Sequence, residues 1–192
     1  MTNLMRRISP FLLMFSLVSN TALADETYIG LNYDLANYSQ LFAEKDSVSL
    51  TGVSLSLGHM FNRRWGIETK FGSGFNRKEA IDETLFGSDL IRIRMDNYFS
   101  LLMVTKFSFT ERFNGAIKWG LTRAEVTQSK KEGNDWQAYR EGERSGFIGG
   151  SLLWAMDYEL NDTSAVNFEF GMLSNRVAIN WFGMSLGVKT MF

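Results

Sequence analysis

The chain has 192 residues, with 20 Lys and Arg against 21 Asp and Glu, no cysteine and a single proline. The balanced charge excludes the concentrated positive footprint that nucleic-acid binding needs, and the lack of thiols excludes a disulfide framework or a thiolate site. A mean hydropathy just below zero excludes a bundle of apolar membrane helices, but not strands that are apolar only at every second position.

Arg6 and Arg7 precede an apolar run from Ile8 to Val18, broken by Ser9, Pro10 and Ser16, and Ala22-Leu23-Ala24 supplies the small residues of a cleavage site. Residues 1–24 are therefore expected to be a cleaved secretory signal, with 25–192 as one further domain. The apolar run is shorter than the roughly 20 residues that span a bilayer as a helix. No cysteine follows it to carry a lipid anchor.

From there a period of two recurs along the chain. Thr27 to Ser39 places Ile29, Leu31, Tyr33 and Leu35 on one face and Gly30, Asn32, Asp34 and Ala36 on the other. A second strand, about Ser47 to Phe61, sets Val53, Leu55 and Leu57 against Gly52, Ser54, Ser56 and Gly58. After a tight turn at Asn62-Arg63-Arg64, Trp65 to Phe75 carries Ile67, Thr69 and Phe71 opposite Gly66, Glu68, Lys70 and Gly72. The fourth strand, about Leu90 to Phe107, is expected to point Ile93, Met95, Phe99, Leu101 and Met103 outward, with Asn97 the polar exception.

A turn at Thr110-Glu111-Arg112 leads to a fifth strand, Gly115 to Glu125, in which Ile117, Trp119 and Leu121 alternate with Ala116, Lys118, Gly120 and Thr122. The sixth, Ser145 to Leu160, opposes Ile148, Leu152, Trp154, Met156 and Tyr158 to Gly149, Ser151, Ala155, Asp157 and Glu159. A turn at Asn161-Asp162-Thr163 precedes the seventh, where Val166, Phe168, Phe170 and Met172 alternate with Asn167, Glu169 and Gly171. A short loop at Ser174-Asn175-Arg176 is expected before the closing strand, in which Phe182, Met184, Leu186, Val188, Thr190 and Phe192 share a face. That makes eight strands.

Links near Asn62, Thr110 and Asn161 are short, whereas those near Gln40, Phe75 and Ala124 are long. Short turns at one end and long loops at the other are the pattern of an outer-membrane barrel; a soluble sandwich has no reason to sort loops by end. The predicted fold is an all-β, eight-stranded antiparallel up-and-down transmembrane barrel.

The runs Gly58-His59-Met60-Phe61-Asn62, Trp65-Gly66-Ile67-Glu68 and Ala116-Ile117-Lys118-Trp119-Gly120, with the end Leu186 to Phe192, resemble the outer-membrane β-barrel family that includes the OmpX and Ail proteins and the transmembrane domain of OmpA. The resemblance implies a terminal aromatic, Phe192, read as an assembly signal by the barrel-assembly machinery. It also implies outer-membrane lipid and lipopolysaccharide as surroundings, a Gram-negative outer membrane as location, and a host surface protein as a partner of the loops in adhesive members.

Candidate functional residues fall into three sets. Inward-facing charges are expected at Glu68, Lys70, Arg92, Arg94, Lys118, Asp157, Glu159, Glu169 and Lys189. Because an eight-stranded barrel is just wide enough for side chains to fill, Glu68, Lys70, Lys118, Asp157, Glu169 and Lys189 are expected to pair as a lumen charge network. The third long loop, Arg123 to Arg144, offers Lys130, Lys131, Trp136, Tyr139 and Arg140 for recognition. Catalysis is not expected: the one histidine, His59, shares the parity of Leu57 at the short-turn end, with no serine and base beside it. No metal or cofactor is expected either. The function is expected to be structural or recognition, with a narrow OmpW-like channel as the alternative and a lipid A modifying enzyme third.

Overall fold

The computed structural model describes residues 26–40, 48–84, 87–132, 135–138, 145–176 and 179–192. Its strands are β1 (Glu26–Gln40), β2 (Val48–Met60), β3 (Trp65–Gly74), β4 (Arg77–Thr84), β5 (Gly87–Ser108), β6 (Phe113–Glu132), β7 (Asp135–Ala138), β8 (Ser145–Asn161), β9 (Ser164–Arg176) and β10 (Ile179–Met191). Every pairing is antiparallel, and the order β5-β3-β2-β1-β10-β9-β8-β6 is closed by β5 on β6. These eight strands are the barrel wall. The first and last of the chain meet along Tyr28↔Met191 to Gln40↔Ile179, so the circle has no open seam there.

The three short turns are each tied by a side chain that the sequence places there for that purpose. Asn62 Oδ1 accepts the backbone N–H groups of Arg64 at 2.8 Å and Trp65 at 2.9 Å. Thr110 Oγ1 accepts that of Phe113 at 3.0 Å, and Asn161 Oδ1 that of Thr163 at 3.0 Å. Such short side chains imitate a backbone turn and fix hairpin register.

At the opposite end the wall continues as a four-stranded extension, β4-β5-β6-β7. This corrects the expectation of long loops there. The segment after Phe75 contains β4, which pairs with β5 from Arg77↔Arg94 to Thr84↔Gly87. Much of the predicted third loop is strand: β6 runs on to Glu132 and takes β7 as its partner. Residues Ser174, Asn175 and Arg176 belong to β9, paired with Trp181, Asn180 and Ile179, because the ladder with β10 absorbs their backbone polar groups whatever their turn propensity. The closing strand ends at Met191, one residue before Phe192.

Around the middle of the barrel the exterior is an apolar belt that includes Leu31, Leu55, Phe71, Leu101, Trp119, Trp154 and Leu186. The parity expected for β1, β2, β3, β6, β8, β9 and β10 is the one observed. In β5 it changes sign part-way. A bulge between Met95 and Asn97 leaves Asp96 outside the ladder with β6, so Phe99 and Leu101 face out whereas Ile93 and Met95 are buried inside. Arg92 and Arg94, expected in the lumen, are on the outer side, with 28% and 38% of their side chains exposed.

The bulge is held by its own polar groups. Asp96 C=O accepts Ser73 Oγ at 2.9 Å, and its carboxylate takes Arg94 Nε at 2.7 Å and the Thr127 hydroxyl. Its effect is to reverse which face of β5 is apolar, outward in the belt and inward in the extension, as a strand must when it passes from lipid into water. Val48, Leu50, Ala124, Val126 and Trp181 likewise turn inward at that end.

Candidate functional site

The barrel interior has three layers. At the long-loop end an apolar cluster fills it, with Trp181, Leu50, Met95, Ile93, Val126 and Leu173 all buried and the Tyr98 ring 6.1 Å from that of Trp181. At the short-turn end Tyr28, Met60, Val104, Ala116 and Ala155 pack with Met191. Between them lies the ion-pair layer.

Its centre is Lys118 on β6, whose Nζ donates to Glu68 Oε2 of β3 at 2.6 Å and to Glu169 Oε1 of β9 at 2.5 Å. Glu169 Oε2 accepts Lys70 Nζ at 2.8 Å, and Lys70 also reaches Ser185 Oγ at 3.2 Å and Asp34 at 3.6 Å. All five ionised groups are at most 1% exposed. They alternate in sign, Asp34–Lys70–Glu169–Lys118–Glu68, which is the arrangement that makes burial of charge tolerable.

Two tyrosines cross the lumen to complete the hydrogen bonding. Tyr28 donates to Glu68 Oε2 at 2.6 Å and Tyr98 to Asp34 Oδ2 at 2.8 Å. Each ring occupies the space over a glycine of the wall: a Cβ at Gly58 would stand 2.1 Å from Tyr28 Cζ, and one at Gly72 2.1 Å from Tyr98 Cε1. Glycine at these inward positions is therefore required by the aromatic that occupies its space. Ser54 Oγ donates to the other oxygen of Asp34 at 3.1 Å.

Of the residues expected in the network, Glu68, Lys70, Lys118 and Glu169 come together. Asp157 and Lys189 form a separate pair nearer the short-turn end, with Lys189 Nζ 2.9 Å from both carboxylate oxygens. Glu159 accepts Asn114 Nδ2 at 2.6 Å there. Asp34 was missing from the expected set although its inward parity on β1 marks it. Tyr28 and Tyr98 carried no signal in the alternation, since aromatics suit either face. Below the ion pairs is a cavity of about 20 Å³ bordered by Tyr28, Lys118, Asp157 and Lys189, room for about one water.

Other expected sites lie elsewhere. In the extension, Lys130 and Lys131 pair with Gln137 and Trp136 of β7, and the Arg92 guanidinium sits 3.8 Å from the Trp136 ring centre while its Nη2 donates to Glu79 Oε1 at 2.7 Å. Tyr139 and Arg140 lie outside the described residues. His59 points from the outer wall, with Nδ1 3.0 Å from Thr27 Oγ1 and its ring 5.5 Å from that of Phe61. Phe192 is 70% exposed, and its backbone N–H bonds the Thr27 carbonyl at 2.9 Å. Among the described residues no group of three or more His, Asp or Glu side chains is placed to hold a metal ion.

Comparison with known proteins identifies the architecture. The family described as outer membrane protein beta-barrel domain matches residues 11–180. No curated protein matches in sequence. Among solved structures, Ail, the attachment invasion locus protein of Yersinia pestis, crystallised with the heparin analogue sucrose octasulfate, superimposes with a TM-score of 0.56 at 14% identity, covering 88% of this chain and 99% of its own. OprG of Pseudomonas aeruginosa gives 0.55 at 15% identity over 88% and 95%. Neisserial surface protein A gives 0.54 at 12% identity over 86% and 97%. At these identities the likeness is one of fold.

Proposed function

This chain belongs to the outer membrane protein beta-barrel family, and on that premise we propose that it is a non-catalytic, non-conducting barrel of the Gram-negative cell surface with a structural or recognition role. A signal at residues 1–24 takes it across the inner membrane, and the barrel-assembly machinery inserts it. The short turns then face the periplasm and the β4-β5-β6-β7 extension faces outward. The observation that carries the reading is the filled lumen: an apolar cluster stacked on a continuous chain of ion pairs supports a plug, while the chemistry available to partners is on the outside of the extension.

There Glu79, Arg92 and Trp136 form one group, Glu79 exposed and the other two half-buried. A planar guanidinium on an indole, with carboxylate and lysines nearby, suits a host surface protein or the phosphates of lipopolysaccharide. Ail, an attachment protein by its description and solved with a sulfated heparin analogue, shares the fold. The test is adhesion of cells with and without this gene to matrix proteins, paired with planar-bilayer recording of the purified barrel. Gene-dependent adhesion without steady conductance supports the reading; steady conductance overturns it. That result favours the second reading, a narrow channel for small or hydrophobic solutes.

A further inference from the structure

The buried ion-pair layer carries three carboxylates, Asp34, Glu68 and Glu169, against two ammonium groups, Lys70 and Lys118, while Asp157 and Lys189 neutralise each other nearer the short-turn end. One negative charge is left over. A charge buried without a counter-charge is expensive, so a positive partner belongs in the same layer.

The unused acceptors show where. Glu68 Oε1, Asn32 Oδ1, Asn167 Oδ1 and Ser56 Oγ are buried without a hydrogen-bond partner, and each of the four residues is at most 2% exposed. They ring one part of the lumen. Asn32 and Asn167 flank Gly187 on the β1–β10–β9 ladder, and Asn32 Oδ1 lies 2.2 Å from where a Cβ on Gly187 would be, so it reaches across the glycine toward β9. Asn167 Nδ2 holds Glu169 at 3.2 Å, and Glu169 shares Lys118 with Glu68. Ser56 stands opposite Lys70, diagonal to Glu68 on one side, and opposite Gly30, diagonal to Asn32 on the other.

We infer that this ring binds one monovalent cation, held by Glu68 Oε1 with the amide oxygens of Asn32 and Asn167 and the hydroxyl of Ser56, directly or through hydration water. A carboxylate with amide and hydroxyl oxygens is a hard-donor set of the kind alkali cations take. A proton on Glu68 would neutralise the charge but serve at most one of the remaining acceptors, whereas a cation with its water serves several.

The test uses the full mature chain folded in detergent, melted in sodium, potassium or choline chloride at equal ionic strength. The unfolding midpoint is expected to rise by several degrees in an alkali chloride over choline, and to climb with the logarithm of its concentration as for any ligand of the native state. Glu68→Gln, which keeps the shape and removes the charge, is expected to abolish the difference. Crystals of the unmodified protein soaked in thallous or rubidium salt are expected to show an anomalous peak beside Glu68. Equal midpoints in all three salts, an undiminished cation effect in Glu68→Gln, or water alone at the site would each overturn the assignment. A midpoint that follows pH but not the cation would give the missing charge to a proton and overturn it equally.

Discussion

Lys118 and Glu68 meet across the lumen at 2.6 Å although they stand on β6 and β3, with β5 between them in the wall. Lys118 is also the shared donor to Glu169, so its removal leaves Glu68 without a counter-charge and Glu169 with Lys70 alone.

Lys118→Met is therefore expected to destabilise the folded barrel by about 3–5 kcal/mol, the cost of breaking a buried pair from one side. Urea unfolding followed by the gel mobility of unheated samples measures it. Changing Glu68, Lys118 and Glu169 together to apolar residues of similar volume is expected to cost less than Lys118→Met alone, since no charge is then left unpaired. A triple variant weaker than the single one would show that the ion pairs stabilise the barrel in their own right.

The reversal of β5 at Asp96 supplies a second expectation. Ile93, 3% exposed within the apolar cluster, and Arg94, 38% exposed beside Asp96, are neighbours with opposite surroundings. Ile93→Arg is expected to destabilise by several kcal/mol because the charge has no partner inside, whereas Arg94→Leu is expected to cost about 1 kcal/mol or less, as for other exposed pairs. The opposite ranking would restore an unbroken alternation along β5.

That position also explains what the sequence makes legible and what it does not. Eight wall strands and three short turns can be read because alternation and the turn residues Asn62, Thr110 and Asn161 point the same way. Alternation identifies an apolar face but not its solvent. In the belt that face meets lipid; in the extension it meets the interior, and Ile93 and Met95 are acceptable in either place. Asp96 within an apolar run was the available sign of a bulge. The ion-pair layer was partly legible because Lys and Glu at inward positions must pair, but pairing across strands as far apart in sequence as Lys70 and Glu169 follows only from closure of the barrel.

Leu55 and Ser54 test the belt directly, being adjacent on β2 with Leu55 53% exposed and Ser54 buried beside Asp34. Leu55→Arg, near the middle of the apolar belt, is expected to cost about 2–4 kcal/mol in a bilayer. In a polar-headed detergent that wets the belt the penalty is expected to shrink. Ser54→Arg is expected to show no such dependence on the surrounding amphiphile, because its environment is the lumen in both cases. Equal sensitivity at the two positions would contradict the register Asn32↔Ser54 and Leu31↔Leu55.

Phe192 separates packing from addressing. Its side chain is largely exposed and its described tie to the barrel is one backbone hydrogen bond to Thr27, so deleting it removes little that holds the fold. A deletion variant is expected to refold in detergent with nearly the stability of the full chain. If the terminal aromatic is the signal that the assembly machinery reads, the same deletion is expected to fail in cells, leaving the chain in the periplasm for degradation, while Phe192→Tyr inserts normally. Fractionated membranes run without heating report the folded form. Wild-type amounts of the deletion variant in the outer membrane would leave Phe192 as an interfacial aromatic with no role in assembly.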